Sequence, residues 1–162
     1  MARRRPGGGT PATVALASAG VDHVLHPYAH DPGADSFGTE AAEALGVAAE
    51  RVFKTLLAQA DGALVVGIVP VTGKLDLKAL ARALGVSKAV MADPAQAQRA
   101  TGYVVGGISP FGQKRPHPTV VDDSALGHAT VFVSGGRRGL DIEIAPGDLV
   151  SVTDASTAQI RR

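Results

Sequence analysis

The chain reads as short apolar runs separated by punctuation residues. Residues 52–59 and 63–69 are dense in β-branched and aliphatic side chains, and Asp61-Gly62 between them is a tight-turn dipeptide, so together they predict a β-hairpin. Residues 21–28 predict another strand, which Pro27 confines to an edge or an end. Three more follow at 119–122, 130–134 and 140–144, separated by glycine-rich turns. In the last of these Leu140, Ile142 and Ile144 share one face, and Asp141 and Glu143 share the other. Pro146-Gly147-Asp148 turns the chain into a last short element, 149–153, which brings the count to about seven strands.

Helix punctuation is as clear. Thr10-Pro11 supplies a cap and a first-turn proline, and Gly20 ends that helix. A loop over 30–38 leads to a short helix from Thr39 to Gly46; another runs from Asp76 to Gly85, and Asp93-Pro94 opens a fourth that ends near Gly102. Ala44-Leu45-Gly46-Val47 and Ala83-Leu84-Gly85-Val86 are two uses of one glycine cap, since the flanking sequence does not repeat. Strands and helices do not alternate as βαβ units. The pattern predicts an α+β fold, a single domain over 10–162 with a mixed, curved or barrel-like β-sheet and short flanking helices. Residues 1–9, with Arg3-Arg4-Arg5 and Gly7-Gly8-Gly9, predict a flexible basic tail.

Composition narrows the chemistry. At 162 residues, 45% hydrophobic and 19% charged, the chain can bury a core and is not globally disordered. A net charge of +1 excludes a histone-like polycation but leaves room for local basic patches. Aromatics at 4%, with no Trp, argue against a base-stacking platform. The chain has no Cys, which excludes a disulfide scaffold, a thiolate zinc site, an iron–sulfur cluster and a Cys nucleophile. No apolar run reaches about 18 residues, and no apolar stretch of signal-peptide type follows the basic start, so the expected compartment is the cytoplasm.

Several motifs fail on their own physics. Gly67 to Gly73-Lys74 is spaced unlike a phosphate loop, and Leu75 stands where the Ser/Thr for magnesium belongs. His23 and His26 on a strand point to opposite faces, and Pro27 bars a helix that would align them with His30, so these read as surface histidines and no metal site is expected. Ser109 sits in a glycine-flanked turn, but an elbow nucleophile needs the N–H of the next residue, and Pro110 has none.

Three signals remain. Lys54 lies within Val52-Phe53-Lys54-Thr55-Leu56-Leu57, on the face of Val52 and Leu56. A lysine there either lays its stem over apolar surface at an edge strand or offers a cation at the floor of a pocket. Gly106, Gly107, Ile108, Ser109 and Pro110 form a loop whose consecutive N–H groups fit an anion nest, or simply a turn. Ser134 and Asp141 flank the turn containing Arg137-Arg138-Gly139, as a solvated hairpin face or as a polar corner of a pocket.

Taken together, Phe53-Lys54-Thr55-Leu56, Gly106-Gly107-Ile108-Ser109-Pro110 and the stretch from Ser134 to Glu143 resemble the YbaK family of freestanding aminoacyl-tRNA deacylases, which are related to the editing domain inserted in bacterial prolyl-tRNA synthetases. The similarity runs from about Thr10 to the C-terminus and is nearest to the Cys-tRNA(Pro) deacylase branch. It implies removal of a wrongly attached amino acid from tRNA(Pro), with the essential lysine at Lys54. It implies a substrate pocket of Tyr28, Phe37, Thr55, Ser134 and Asp141 with the loop Gly106 to Pro110, and no cofactor. Tyr28 and Phe37 carry no signal of their own. The resemblance further implies cleavage assisted by the cysteine's own thiol, with Lys54 near the ester carbonyl or the terminal ribose. Contact with tRNA would fall to Lys114-Arg115, Arg137-Arg138, Lys74 with Lys78 and the arginine tail, and selectivity to a complex with prolyl-tRNA synthetase. A deacylase for alanine or serine, a non-catalytic module that binds aminoacyl-tRNA or a synthetase, and a small-molecule esterase are the alternatives.

Overall fold

A computed structural model describes residues 9–33 and 36–162. Residues 1–8, and with them most of the expected basic tail, lie outside the described residues. Local chemistry explains most element boundaries. Helix α1, Pro11–Ala19, is capped by the Thr10 hydroxyl, which accepts from the Thr13 N–H at 3.2 Å. Strand β1 is Val24–Pro27. Helix α2, Phe37–Leu45, begins earlier than the expected Thr39 because Ser36 supplies the cap, accepting from the Thr39 N–H. Strands β2, Phe53–Ala60, and β3, Ala63–Pro70, form the expected hairpin; Asp61 and Gly62 both take positive φ, 49° and 85°, as the tight turn requires.

Helix α3, Leu77–Leu84, is capped by Asp76, and β4, Ala89–Met91, follows. Helix α4, Pro94–Thr101, is capped by Asp93. The C-terminal part holds β5, Thr119–Asp122, β6, Val131–Arg137, and β7, Leu140–Ile144. It ends with helix α5, Pro146–Thr153, and β8, Ser156–Ala158. Residues 149–153, counted as a strand above, are therefore helical: proline in the first turn and Asp148 near the N-terminus start a helix that buries Leu149.

The chain builds an α+β domain whose β structure is divided between two sheets. One has the order β1-β7-β6; the other, β4-β2-β3-β5-β8, is mixed, with parallel pairs at β3–β5 and β5–β8. An isolated bridge between Val52 and Phe132 links them. The main core lies between the sheets, with Val133, Ile142 and Ile144 from one meeting Leu57, Ile68 and Val121 from the other, and Leu16 of α1 alongside. A second core packs α3, through Leu80, on the far face of β2 and β3; a third packs α2 against Val52 and Phe132. Among the described residues no helix is long and apolar enough to cross a membrane.

Candidate active site

The edge of β2 carries the site. Strand β4 pairs only with Ala58–Ala60, and the bridge to β6 sits at Val52, so the edge is open between them. The Val71 N–H donates to the Val52 carbonyl at 2.8 Å, which by antiparallel alternation turns the backbone groups of Thr55 and Leu57 outward. The Leu57 carbonyl is taken by the Ala92 N–H at 3.1 Å; the backbone of Thr55 faces the gap. A cavity of about 380 Å³ occupies this gap, within the range of small-ligand sites.

Lys54 and Thr55 from β2, Phe37 from α2, Tyr28 beyond β1, Gly106 and Ile108 from the glycine loop, and Ser134 and Asp141 from the β6–β7 pair all line it. Residues as far apart along the chain as Tyr28 and Asp141 thus meet at one site, and register places Ser134 directly opposite Asp141 across β6 and β7. Gly38, Ala41, Met91, Ala92, Pro94 and Ala97 also line the cavity, and the sequence reading missed them. Gly38 fell in the expected loop and carried no signal; it lies in α2, where any Cβ would collide with Val71.

The electrostatics are uncompensated. Lys54 is half-buried, and among the described residues no carboxylate pairs with it. Burial, and then the charge of Lys74, pull its ammonium below the usual lysine range. Asp141 is 5% exposed, and burial pushes its carboxyl up to about 7. Asp141 therefore does not sit on a solvated hairpin face but in the wall of the cavity. Burial and the neighbouring Asp141 raise the Tyr28 phenol to about 12. The Thr55 hydroxyl oxygen is buried without a hydrogen-bond partner. Ser134 accepts from the Gly136 N–H at 3.2 Å, and no histidine lines the cavity, so neither hydroxyl has an imidazole base.

Gly107, Ser109 and Pro110, expected in the pocket, are not among the residues that line the cavity. The Gly107 N–H is already donated to the Val104 carbonyl at 2.9 Å. Gly107 packs so closely on the β6–β7 turn that a Cβ would lie 2.8 Å from the Arg137 Cα. Ser109 is fully buried, its hydroxyl accepting from the Phe111 N–H at 3.2 Å, and Pro110 after it is half-buried. These residues set the loop against the sheet. Gly107→Ala is expected to destabilise the fold by about 1–3 kcal/mol, seen as an earlier chemical-denaturation midpoint; an unchanged midpoint would show the loop yields freely.

The arginines after β6 also differ from expectation. Arg138 stacks its guanidinium 4.7 Å from the Phe37 ring centre and donates to the Val105 carbonyl at 3.0 and 2.6 Å. Gly106, at φ 88°, brings its backbone under the same ring, where a Cβ would come within 2.7 Å. Phe37 is held between them, so Arg138 is spent on the rim. Arg138→Ala is expected to raise KM about 2–5-fold, the worth of an exposed cation–π contact, with kcat nearly unchanged in steady-state kinetics. The three histidines have separate partners. His26 bonds Glu143 and His30 bonds Glu40, each at 2.8 Å, while His23 meets the Val21 carbonyl.

The chain is similar to several known proteins. A protein of Enterococcus faecalis with the provisional name Cys-tRNA(Pro)/Cys-tRNA(Cys) deacylase EbsC is 39% identical over 120 residues, 74% of this chain and 73% of that one. Proline–tRNA ligase of Acidithiobacillus ferrooxidans is 36% identical over 103 residues, 64% of this chain but 18% of the ligase. A crystal structure described as a trans-editing enzyme for prolyl tRNA synthetase, itself a provisional assignment, superimposes with a TM-score of 0.81 at 25% identity, covering 94% of this chain and 95% of that one. The sequence profile of the aminoacyl-tRNA editing domain matches residues 31–152, which contain every cavity residue named above except Tyr28. A chain matched over that span, with its unpaired lysine and buried aspartate in one cavity, belongs to the aminoacyl-tRNA editing domain family.

Proposed function

We propose that this chain acts in trans on mischarged tRNA(Pro), removing cysteine from Cys-tRNA(Pro) through the thiol of the substrate. The observation that carries the proposal is the cavity's chemistry: a cation and a carboxylate with no protein nucleophile–base pair, in a chain without cysteine. The name of the Enterococcus relative supports the same substrate. In this reading the α-ammonium of the aminoacyl group meets the Asp141 carboxylate, with Ser134 and Thr55 as polar anchors. The ester carbonyl lies toward Lys54 and the N–H groups of Gly106 and Ile108.

The sulfur gives its proton to solvent and attacks the carbonyl carbon. The bond to the terminal ribose oxygen then breaks, and that oxygen takes up a proton. The tRNA leaves with a free hydroxyl, and water opens the small thiolactone to cysteine. Lys54 and the loop N–H groups oppose the negative charge that grows on the carbonyl oxygen. Positioning of sulfur against carbonyl supplies the remainder. Alanine, which lacks one atom of cysteine, would be rejected because it has no nucleophile; one methylene's worth of fit gives only about 1–3 kcal/mol. The kinship with a proline–tRNA ligase supports a complex with prolyl-tRNA synthetase as the source of tRNA selectivity.

The test is loss of labelled amino acid from Cys-, Ala- and Pro-tRNA(Pro). Loss of cysteine alone is the expected result. Loss of alanine would remove the thiol step and change the substrate, and loss of none would leave a binding module.

A further inference from the structure

A second concavity lies on the opposite side of α4. It measures about 490 Å³ and is lined by Gln96, Arg99, Lys114, Arg115 and His117, with no carboxylate among its lining residues. Arg99, Lys114 and Arg115 are exposed, and among the described residues their side chains form no ion pair or hydrogen bond. The two hollows share one wall: α4 presents Pro94 and Ala97 to the first, and Gln96 and Arg99 to the second. Three unpaired cations in a hollow without acids make a local anion site in a chain whose net charge is only +1.

Both walls of this groove are tied to the glycine loop of the first cavity. Gln98, on α4, accepts from the Val105 N–H at 2.9 Å. Gln113 donates to the Ser109 carbonyl at 3.0 Å, which leaves its amide oxygen to accept from the His117 Nδ1–H at 2.8 Å. The groove is therefore held at a fixed offset from the site. That offset is about one helix diameter, 10–12 Å, the length of about three stacked nucleotides at 3.4 Å each.

We propose that Arg99, Lys114 and Arg115 form a phosphodiester-binding groove that holds the strand of a tRNA acceptor arm while its 3′ end enters the cavity beyond α4. The proposal rests on the aminoacyl-tRNA reading above and adds where the RNA runs. Arg138, an expected contact of the same kind, is held at the cavity rim by the Phe37 ring and the Val105 carbonyl.

The test compares wild type with the variant Arg99→Ala/Lys114→Ala/Arg115→Ala. Binding of uncharged tRNA(Pro) is measured by fluorescence anisotropy across a salt series, and deacylation is measured on a cysteinylated CCA trinucleotide. The expected result is about 10–100-fold weaker tRNA binding at low salt and a log–log salt slope shallower by about 2–3, with trinucleotide turnover and thermal melting unchanged. Unchanged affinity and slope would overturn the groove, as would an equal loss of turnover on the trinucleotide. If wild type deacylates neither substrate while the binding loss persists, the groove stands and the deacylase reading falls.

Discussion

Replacing Lys54 by alanine is expected to lower kcat for Cys-tRNA(Pro) by about 10²–10³-fold, the usual loss when one donor to a developing oxyanion is removed. The same change should not lower the melting temperature. Among the described residues Lys54 has no carboxylate partner, so its removal breaks no ion pair there, and burial already disfavours its charge. A lysine whose folded-state affinity for its proton is lowered burdens the fold wherever it is charged, which includes neutral pH. Lys54→Met should therefore melt at the same temperature as wild type or higher. A variant that melts early and keeps its turnover would mark Lys54 as a packing residue and sink the assignment. Arg in its place keeps the charge but is planar and larger, and is expected to restore little.

Asp141→Asn should lower kcat/KM about 10–100-fold at pH 7.5, the worth of one charge-assisted hydrogen bond, and at the same time stabilise the protein at pH 8. The carboxyl moves from an ordinary value of 3.8 to about 7 because it is buried. A raised acid means the folded state holds its proton where the unfolded state has released it. Stability therefore falls as pH rises from about 4 to about 7, by on the order of 4 kcal/mol at 1.36 kcal/mol per unit. Asparagine does not ionise, so its stability profile should be flatter across that window. Denaturant melts of both proteins from pH 4 to 8 check this, and parallel curves would show that Asp141 is not the titrating group.

Sequence spoke clearly where structure is local. Thr10, Asp76 and Asp93 announce their helices because a capping side chain acts within three residues, and Asp61-Gly62 fixes its hairpin by backbone conformation alone. Strands β4 and β8 were silent: each has three residues and is held by backbone bonds to a neighbour, with no side-chain period to read. Lys54 drew attention as a charge in an apolar run. Asp141 stayed open between a solvated face and a pocket corner because Tyr28 and Phe37, which line the cavity with it, lie about a hundred residues away in sequence, and no local pattern reports that. Tyr28 and Phe37 emerged only through the family resemblance, since an aromatic beside a loop has no periodicity. Ser109 was drawn in by its glycine neighbours, which serve backbone approach to the sheet rather than exposure of the serine.

The open stretch of β2 between the Val52–Phe132 bridge and the β4 pairing has an evolutionary corollary. The cavity lies at the joint between the two sheets, and its width is a spacing more than the imprint of any single side chain. Size changes at Val52 or Phe132, the bridged pair on which α2 rests, would shift one sheet against the other and re-gauge the opening while keeping Lys54 and Asp141 as its polar groups. A lineage can in that way retune which aminoacyl group fits without rebuilding its reactive centre. Saturation libraries at those two joint positions, selected on different charged tRNAs, are the natural place to look for new specificities.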